Sequence, residues 1–399
     1  MSGSKTCRQP SAARPGSRRA LARRAGLSFV VVAIASTVRL VAAPEEPGPA
    51  CATRLEPLVR RIMAERGVPG AIVSVEIPGV CRWKAALGSG SAAGRRPISF
   101  RDHVRVGSIT KTMTGTAVLQ LVDDRRIGLD DPISRHLSGV PNGEKITIRQ
   151  MLYMRSGLAT YSNDAGFNAS LDTETHRVWK PAELLAIAFR HPPDFPPGTS
   201  YTYSNTNTVL LGQLVEKLRG LPLHQVFAER IFEPLGLDET SLPTTAALPS
   251  PHARGYMFGS NVGTLDGKCD AGTVGRHDVT NASPSWTWAA GGVVSTLRDL
   301  TVWARALATG KLLTPATHAA RLDWLSTGPA SAPSYGLHVA NFFGVIGHDG
   351  ALPGYQSFIG YVPSKDGTVV ILTNVYNDKM CGSPADTIFK AVARELALF

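Results

Sequence analysis

The sequence predicts an α/β protein of the α+β type: one antiparallel sheet assembled from N- and C-terminal segments, flanked by helices, with a mainly helical insert. Two observations predict this. Strand-like runs lie towards both ends of the 399-residue chain, and the stretch from Ser108 to about residue 240 has largely helical periodicity. The 43% hydrophobic content is enough for a large core, and no internal repeat divides the chain.

Taken in order, Leu55, Leu58, Ile62 and Met63 recur at helical spacing and Gly67 ends that segment. Ala71 to Ile77 and Val80 to Leu87 read as strands joined at Pro78-Gly79. The glycines from Gly88 to Gly94 fit neither a dinucleotide nor a phosphate-loop pattern and read as a strand connector. Val104 to Val106 is strand-like and gives way to a helix, apolar on one face from Thr116 to Val122, that stops near Gly128. Asp131-Pro132 predicts a capped start with proline at the first helical position. Pro181 to Arg190, Thr206 to Arg219 before Gly220, and Leu223 to Phe232 read as helices, and 243–288 as a long irregular stretch. Thr296 with Asp299 resembles a capping box opening a helix to Leu307, closed by Gly310. Strands are expected near Tyr335 to Ala340, Phe342 to Ile346, Ser357 to Val362 and Thr368 to Thr373, with a turn at Lys365-Asp366-Gly367 and a final helix from Ala385 to Leu398.

The formal charge of +11 suggests a nucleic-acid binder until it is located. Lys5, Arg8, Arg14, Arg18, Arg19, Arg23, Arg24 and Arg39 all precede residue 44 with no acid among them, and without those eight the balance is +3. No nucleic-acid partner is therefore expected. A basic stretch, an apolar run from Leu27 to Val38 and small residues at Ala42 and Ala43 read as an export signal, 1–43. The run is too short to span a membrane as a helix, which takes ~20 residues, so a membrane role is expected only if the segment stays uncleaved as a tether. Ser17 to Arg23 resembles a twin-arginine signal. A Pro, Glu and Gly-rich linker over 44–52 would lead into one domain, 53–397, with a sheet part at about 53–107 and 290–397 and a helical part at about 108–289. Export makes Cys51, Cys81, Cys269 and Cys381 an even set in an oxidising compartment. Three pairings are possible; Cys51 with Cys81 and Cys269 with Cys381 is preferred, because the first brackets one helix-strand unit. Cysteine spacings match no zinc pattern and His-Glu-x-x-His is absent, so neither a metal nor a cofactor is expected.

Residues 107–111 read Gly-Ser-Ile-Thr-Lys at the strand-to-helix junction. Ser108 and Lys111, three apart on a helix, share a face, so the amine can lie against the hydroxyl and activate it. The helix N-terminus offers backbone donors to a developing anion. Tyr203-Ser204-Asn205 follows a turn-rich loop, Phe195 to Thr199, and Gly347-His348-Asp349-Gly350 precedes Ala351-Leu352-Pro353-Gly354-Tyr355.

The order Ser-x-x-Lys, Tyr-x-Asn, His-x-Gly resembles the three motifs of the penicillin-recognising serine hydrolases, which include class C β-lactamases, D-alanyl-D-alanine carboxypeptidases, esterases and D-amino-acid peptidases. Further blocks in the same order extend the resemblance over about 55–396: Leu129-Asp130-Asp131-Pro132, Ile146 to Leu152, Ser156-Gly157-Leu158, Pro234 to Leu237 and Ala289 to Thr296. The resemblance implies the sheet-plus-helical fold with the site in the cleft between its two parts. It implies Ser108 as nucleophile, Lys111 or Tyr203 as general base, and Asn205 bonded to Lys111 and to the substrate. The oxyanion hole would use the backbone N–H of Ser108 and Ala351, with His348 and Gly350 beside the substrate. Gly350 would let a substrate strand approach. A histidine at 348 is usual in the carboxypeptidases and esterases rather than in class C β-lactamases. Asp349 departs from the pattern, which often has threonine: either it points away, or the substrate is not an anion there. Tyr161, Trp286 and Trp288 are candidates to line the cleft.

These readings converge on an exported, metal-independent serine hydrolase working through an acyl-enzyme on a small-molecule or peptide substrate. A D-alanyl-D-alanine carboxypeptidase-like activity on D-alanyl peptides is favoured over an ester or β-lactam substrate, that is, over an esterase or a weak class C-like β-lactamase. The rival of another kind is a non-catalytic peptidoglycan or β-lactam binding module.

Overall fold

The computed structural model describes residues 48–399 apart from 92, 93, 95 and 266–269. The expected export signal and Cys269 lie outside the described residues. Helix α1 (Gly48–Arg66) begins inside the segment expected as a linker. It leads into the hairpin β1 (Gly70–Ile77) and β2 (Cys81–Gly88). A short strand β3 (Val104–Arg105) precedes helix α2 (Ile109–Asp123). Through the insert run α3 (Pro181–Ala188), α4 (Asn205–Arg219) and α5 (Leu223–Phe227), the last continued by a π-helical turn to Phe232. The chain returns through β4 (Val294–Ser295) and α6 (Leu297–Thr309). It ends in β5 (Ser334–Tyr335), β6 (Ala340–Phe342), β7 (Val345–Leu352), β8 (Tyr355–Val362), β9 (Gly367–Thr373) and α7 (Pro384–Glu395).

The main sheet has seven strands in the order β2-β1-β9-β8-β7-β6-β5, antiparallel throughout. N- and C-terminal segments meet where β1 pairs with β9, Ala71 opposite Thr373. Every residue of β8 and β9 is buried, as strands covered on both faces require, whereas edge strand β2 alternates buried with more exposed positions. One face packs on α1 and α7, with Phe358 stacked on Phe389 at 3.7 Å between centroids. The other face packs on α2 and α6 and continues into the helical insert as one core. The disulfide Cys51–Cys81 ties α1 to β2. Cys381 is also disulfide-bonded.

α2 lies at the centre of that second core: Ile109 to Leu121 are all buried. Its threonines are satisfied within the protein. Thr112 and Thr116 bond back to the carbonyls of Ile109 and Thr112, and Thr114 donates to Ala289.

Several local expectations are corrected. The Thr296–Asp299 capping box does not form: the Thr296 hydroxyl is buried without a partner, while the Asp299 carboxylate accepts from Glu239 N and the Thr240 hydroxyl, so tertiary donors outcompete the local cap. Asp131-Pro132 opens only a 3₁₀ turn at Ile133–Arg135, because Asp131 is committed to Gly128 N and Arg135. The strand expected over Tyr335 to Ala340 is broken at His338, which has φ of 55°. The strand expected at Phe342–Ile346 is interrupted by a turn at Phe343-Gly344, which joins β6 to β7, and β7 runs on through the third motif, so His348 stands in mid-strand.

Candidate active site

The site is built where the two halves of the chain meet. Gly107, with φ of +56°, turns the end of β3 into the first turn of α2 and so presents Ser108. A Cβ on Gly107 would lie 2.5 Å from the backbone N of Ala351, so β7 passes directly beside the serine. Ser357 on β8 fixes that approach by donating to the Val106 carbonyl at 2.7 Å.

Lys111, one turn on, is fully buried; its Nζ lies 3.0 Å from Ser108 Oγ and 2.8 Å from the Ala290 carbonyl oxygen. Burial lowers its pKa to about 7, against the opposing pull of the Asp349 charge. The amine sits 4.8 Å from the centroid of the Tyr203 ring. Tyr203 is half-buried, with its hydroxyl oxygen buried and without a hydrogen bond of ordinary geometry, although Ser108 is near enough to oppose the rise in its pKa. That rise, caused first by desolvation, takes Tyr203 well above the usual tyrosine range. The environment thus favours a neutral amine and a protonated phenol.

Asn205 opens α4 beside the serine, but its amide donates to Ser162 Oγ at 2.9 Å and not to Lys111, whose expected partner is replaced by the Ala290 carbonyl. Asn205 N donates to Thr160, which also bonds Ser162, so a small hydroxyl network from the insert holds this side chain. His348 is buried, with Nδ1 2.6 Å from its neighbour's carbonyl, Asp349 O, and Nε2 3.0 Å from the Tyr335 hydroxyl. Asp349 falls on the opposite pleat. It pairs with Phe358, whose ring faces α7, and its carboxylate reaches round the strand edge to 3.5 Å from His348 Nδ1. Gly350 is required by the fold: a Cβ there would be 2.0 Å from the Val106 carbonyl, so the close neighbour is this protein's own backbone, not a substrate strand.

A cavity of about 30 Å³ beside Ser108 is lined also by Tyr161, Asn205, Trp286, Ala290 and Ala351, with no charged side chain. Trp286 is shared with a larger cavity, about 370 Å³, that reaches Arg105 and Asp278. Trp288 lines neither of these. Among the described residues, no cluster of three or more His, Cys, Asp or Glu side chains could hold a metal, and no helix is long and apolar enough to cross a membrane.

Ala290, Ser162 and Tyr335 escaped the sequence reading. Ala290 acts through its carbonyl, which carries no side-chain signal. Ser162 and Tyr335 are brought in by folding from a segment before the second motif and from a strand paired two places away. The rings of Tyr201 and Tyr203 lie 6.0 and 6.4 Å from that of Tyr335, a cluster that no local spacing in the sequence signals.

A family model described as Beta-lactamase matches residues 55–388. Among solved structures, a D-stereospecific amidohydrolase from Streptomyces sp. superposes with a TM-score of 0.73 at 32% identity, covering 84% of this chain and 98% of that one. The D-amino acid amidase from Ochrobactrum anthropi SV3, complexed with L-phenylalanine, gives 0.73 at 25% identity, covering 86% and 99%. A curated relative, the unguisins hydrolase ungD' of Aspergillus campestris, is 26% identical over 353 residues, 82% of this chain, of which this chain spans only 62%.

Proposed function

This chain belongs to the beta-lactamase family of serine hydrolases, and from that premise we propose that it hydrolyses amide bonds on the carbonyl side of a D-amino-acid residue through an acyl-enzyme on Ser108. The observation that carries the reading is the Lys111 amine, buried 3.0 Å from Ser108 Oγ with its pKa lowered to about 7. A base with that pKa is half deprotonated at neutral pH and matched to serine activation. The neutral amine takes the hydroxyl proton as Oγ attacks the carbonyl carbon. The resulting oxyanion faces the backbone N–H of Ser108 and of Ala351. Collapse breaks the C–N bond, the proton held by Lys111 passes to the departing nitrogen, and water then cleaves the ester by the same route in reverse. Tyr203, kept protonated by burial, serves as a donor towards the leaving group rather than as the base.

The D-configured acyl side rests on the amidohydrolase and amidase relatives. The cavity beyond Trp286 offers room for an acyl substituent. The D-alanyl-D-alanine carboxypeptidase is one member of this substrate class, while esterase and weak β-lactamase action share the acyl-enzyme. A retired binding module has no need of a buried lysine beside a serine. Export through the 1–43 segment, followed by a linker and a domain from 53, belongs to the same proposal, and the Cys51–Cys81 bridge supports it.

One panel tests the reading: D- and L-phenylalanine amide, a D-alanyl-D-alanine peptide, a short-chain ester and a chromogenic cephalosporin on purified protein. D-selective amide cleavage is expected. Ester or cephalosporin turnover alone, or no enantiomeric preference, would sink it.

A further inference from the structure

His348 lies beside the catalytic group, its ring 6.2 Å from that of Tyr203. A carbonyl oxygen can only accept, so His348 Nδ1, 2.6 Å from Asp349 O, carries the ring proton. Nε2 is then a lone pair, and it accepts the Tyr335 hydroxyl at 3.0 Å. Tyr335 is buried, which holds its phenol protonated, and it is wedged edge-on against Tyr201, Tyr203 and the imidazole itself. Both nitrogens of the only basic side chain in the third motif are thus consumed inside the protein. Burial also lowers the pKa of the ring, helped by the nearby Lys111 amine and opposed by the Asp349 charge and backbone carbonyl. The nearest formal charge beyond it is negative, the Asp349 carboxylate at 3.5 Å, and the cavity at Ser108 contributes no cation.

We infer that Tyr335 is a specificity-determining residue: by tying up His348 it leaves the third motif no cationic donor for a carboxylate, so the enzyme takes substrates whose leaving group is uncharged, such as simple amides, and discriminates against peptides with a free C-terminal carboxylate. This rests on the amide-hydrolase reading above and narrows it. A carboxylate placed here would be desolvated without a compensating cation from the third motif, which costs affinity and misplaces the scissile bond. An amide terminus loses nothing.

The test uses the full-length protein and two substrates differing only in terminal charge, a D-alanyl-D-alanine peptide and its C-terminal amide. The expected kcat/KM is at least ~10-fold higher for the amide, since one uncompensated buried charge costs that much or more. In Tyr335→Phe, His348 Nε2 loses its donor and can take a proton, so the ratio should fall towards one, most clearly at the acid end of the pH range. Nitrogen-15 NMR of the histidines should find a neutral Nδ1–H ring for His348 in the unmodified protein at pH 7 and a raised pKa in the variant. Equal rates for both substrates in the unmodified protein, an unchanged ratio in Tyr335→Phe, or an imidazolium at pH 7 would overturn the inference while leaving the amide-hydrolase reading in place. Cleavage of neither peptide would overturn the inference; if D-phenylalanine amide is inert as well, although a fluorophosphonate labels Ser108, the functional reading fails with it.

Discussion

Gly350 and Val106 touch through their backbones: a side-chain carbon on Gly350 would stand 2.0 Å from the Val106 carbonyl oxygen and 2.6 Å from Ser357 Oγ. This contact seats β7 against the end of β3 and sets the distance from Ala351 N to Ser108. Gly350→Ala must push the strand away. We expect a loss of at least ~100-fold in kcat/KM, as a displacement of about 1 Å can cause, with stability lowered by about 1–3 kcal/mol. Kinetics with a thermal melt measure both. Unchanged activity would mean that the position of β7 does not control the oxyanion site.

Lys111 predicts the pH profile. With its amine titrating at about 7, log kcat/KM should rise with pH up to that point and level off above it. The Asp349 charge raises that pKa, so Asp349→Asn should move the rise to lower pH. A shift to higher pH would remove Asp349 from the electrostatics of the site. The same group links to stability. Between about pH 7 and the unfolded value of 10.5 the unfolded chain binds the extra proton, so stability should increase with pH across that window. Lys111→Met should flatten that contribution.

Tyr203 and Lys111 can be separated. Lys111→Ala should lower kcat/KM by ~10³-fold or more, whereas Tyr203→Phe should cost at most ~100-fold, because only the first removes the base. As the Tyr203 hydroxyl has no hydrogen bond of ordinary geometry, its removal should leave the melting temperature unchanged or higher. Equal losses would point to a shared proton path and a phenolate base.

Ser108→Ala should abolish both hydrolysis and covalent labelling by a β-lactam or a fluorophosphonate. Intact-protein mass spectrometry reads the label directly. A persistent adduct in that variant would place the nucleophile elsewhere.

Cys51 and Cys81 close a loop with a sequence separation of 30. Replacing both by serine should cost about 2–4 kcal/mol, seen as a lower denaturant midpoint. In unreduced, denatured exported protein, thiol titration should find none free; two or more reactive groups would contradict a second bridge.

The parts of this molecule that were legible beforehand are those written in local spacing. Ser108 and Lys111 three apart at a strand-to-helix junction, glycines at 220 and 310 closing helices, and the β1–β2 hairpin turning at Pro78-Gly79 all depend on near neighbours. What was misread depends on distant ones. Thr296 has a capping sequence, yet Asp299 is taken by Glu239 N and Thr240. Asn205 has an amide of the expected kind, yet Ser162 holds it and Ala290 takes the lysine. His348 has a ring of the kind expected beside a substrate, yet the register places it in mid-strand and the Tyr335 hydroxyl takes its Nε2. The Asp349 alternative was open in the sequence because which pleat it occupies is fixed only by pairing with Phe358.

The pairing of β1 with β9, and the meeting of Ser108 with Ala351, have a consequence for how the molecule comes into being. Ala71 is made long before its partner Thr373. A chain still attached to the ribosome therefore holds its serine and lysine without the strands that bury the amine or supply the second oxyanion donor. The site is complete only once β7, β8 and β9 have been made, and long-range closure of this kind is slow compared with helix formation. A chain that lacks those three strands lacks Ala351, and with it the second oxyanion donor, whatever its serine and lysine do.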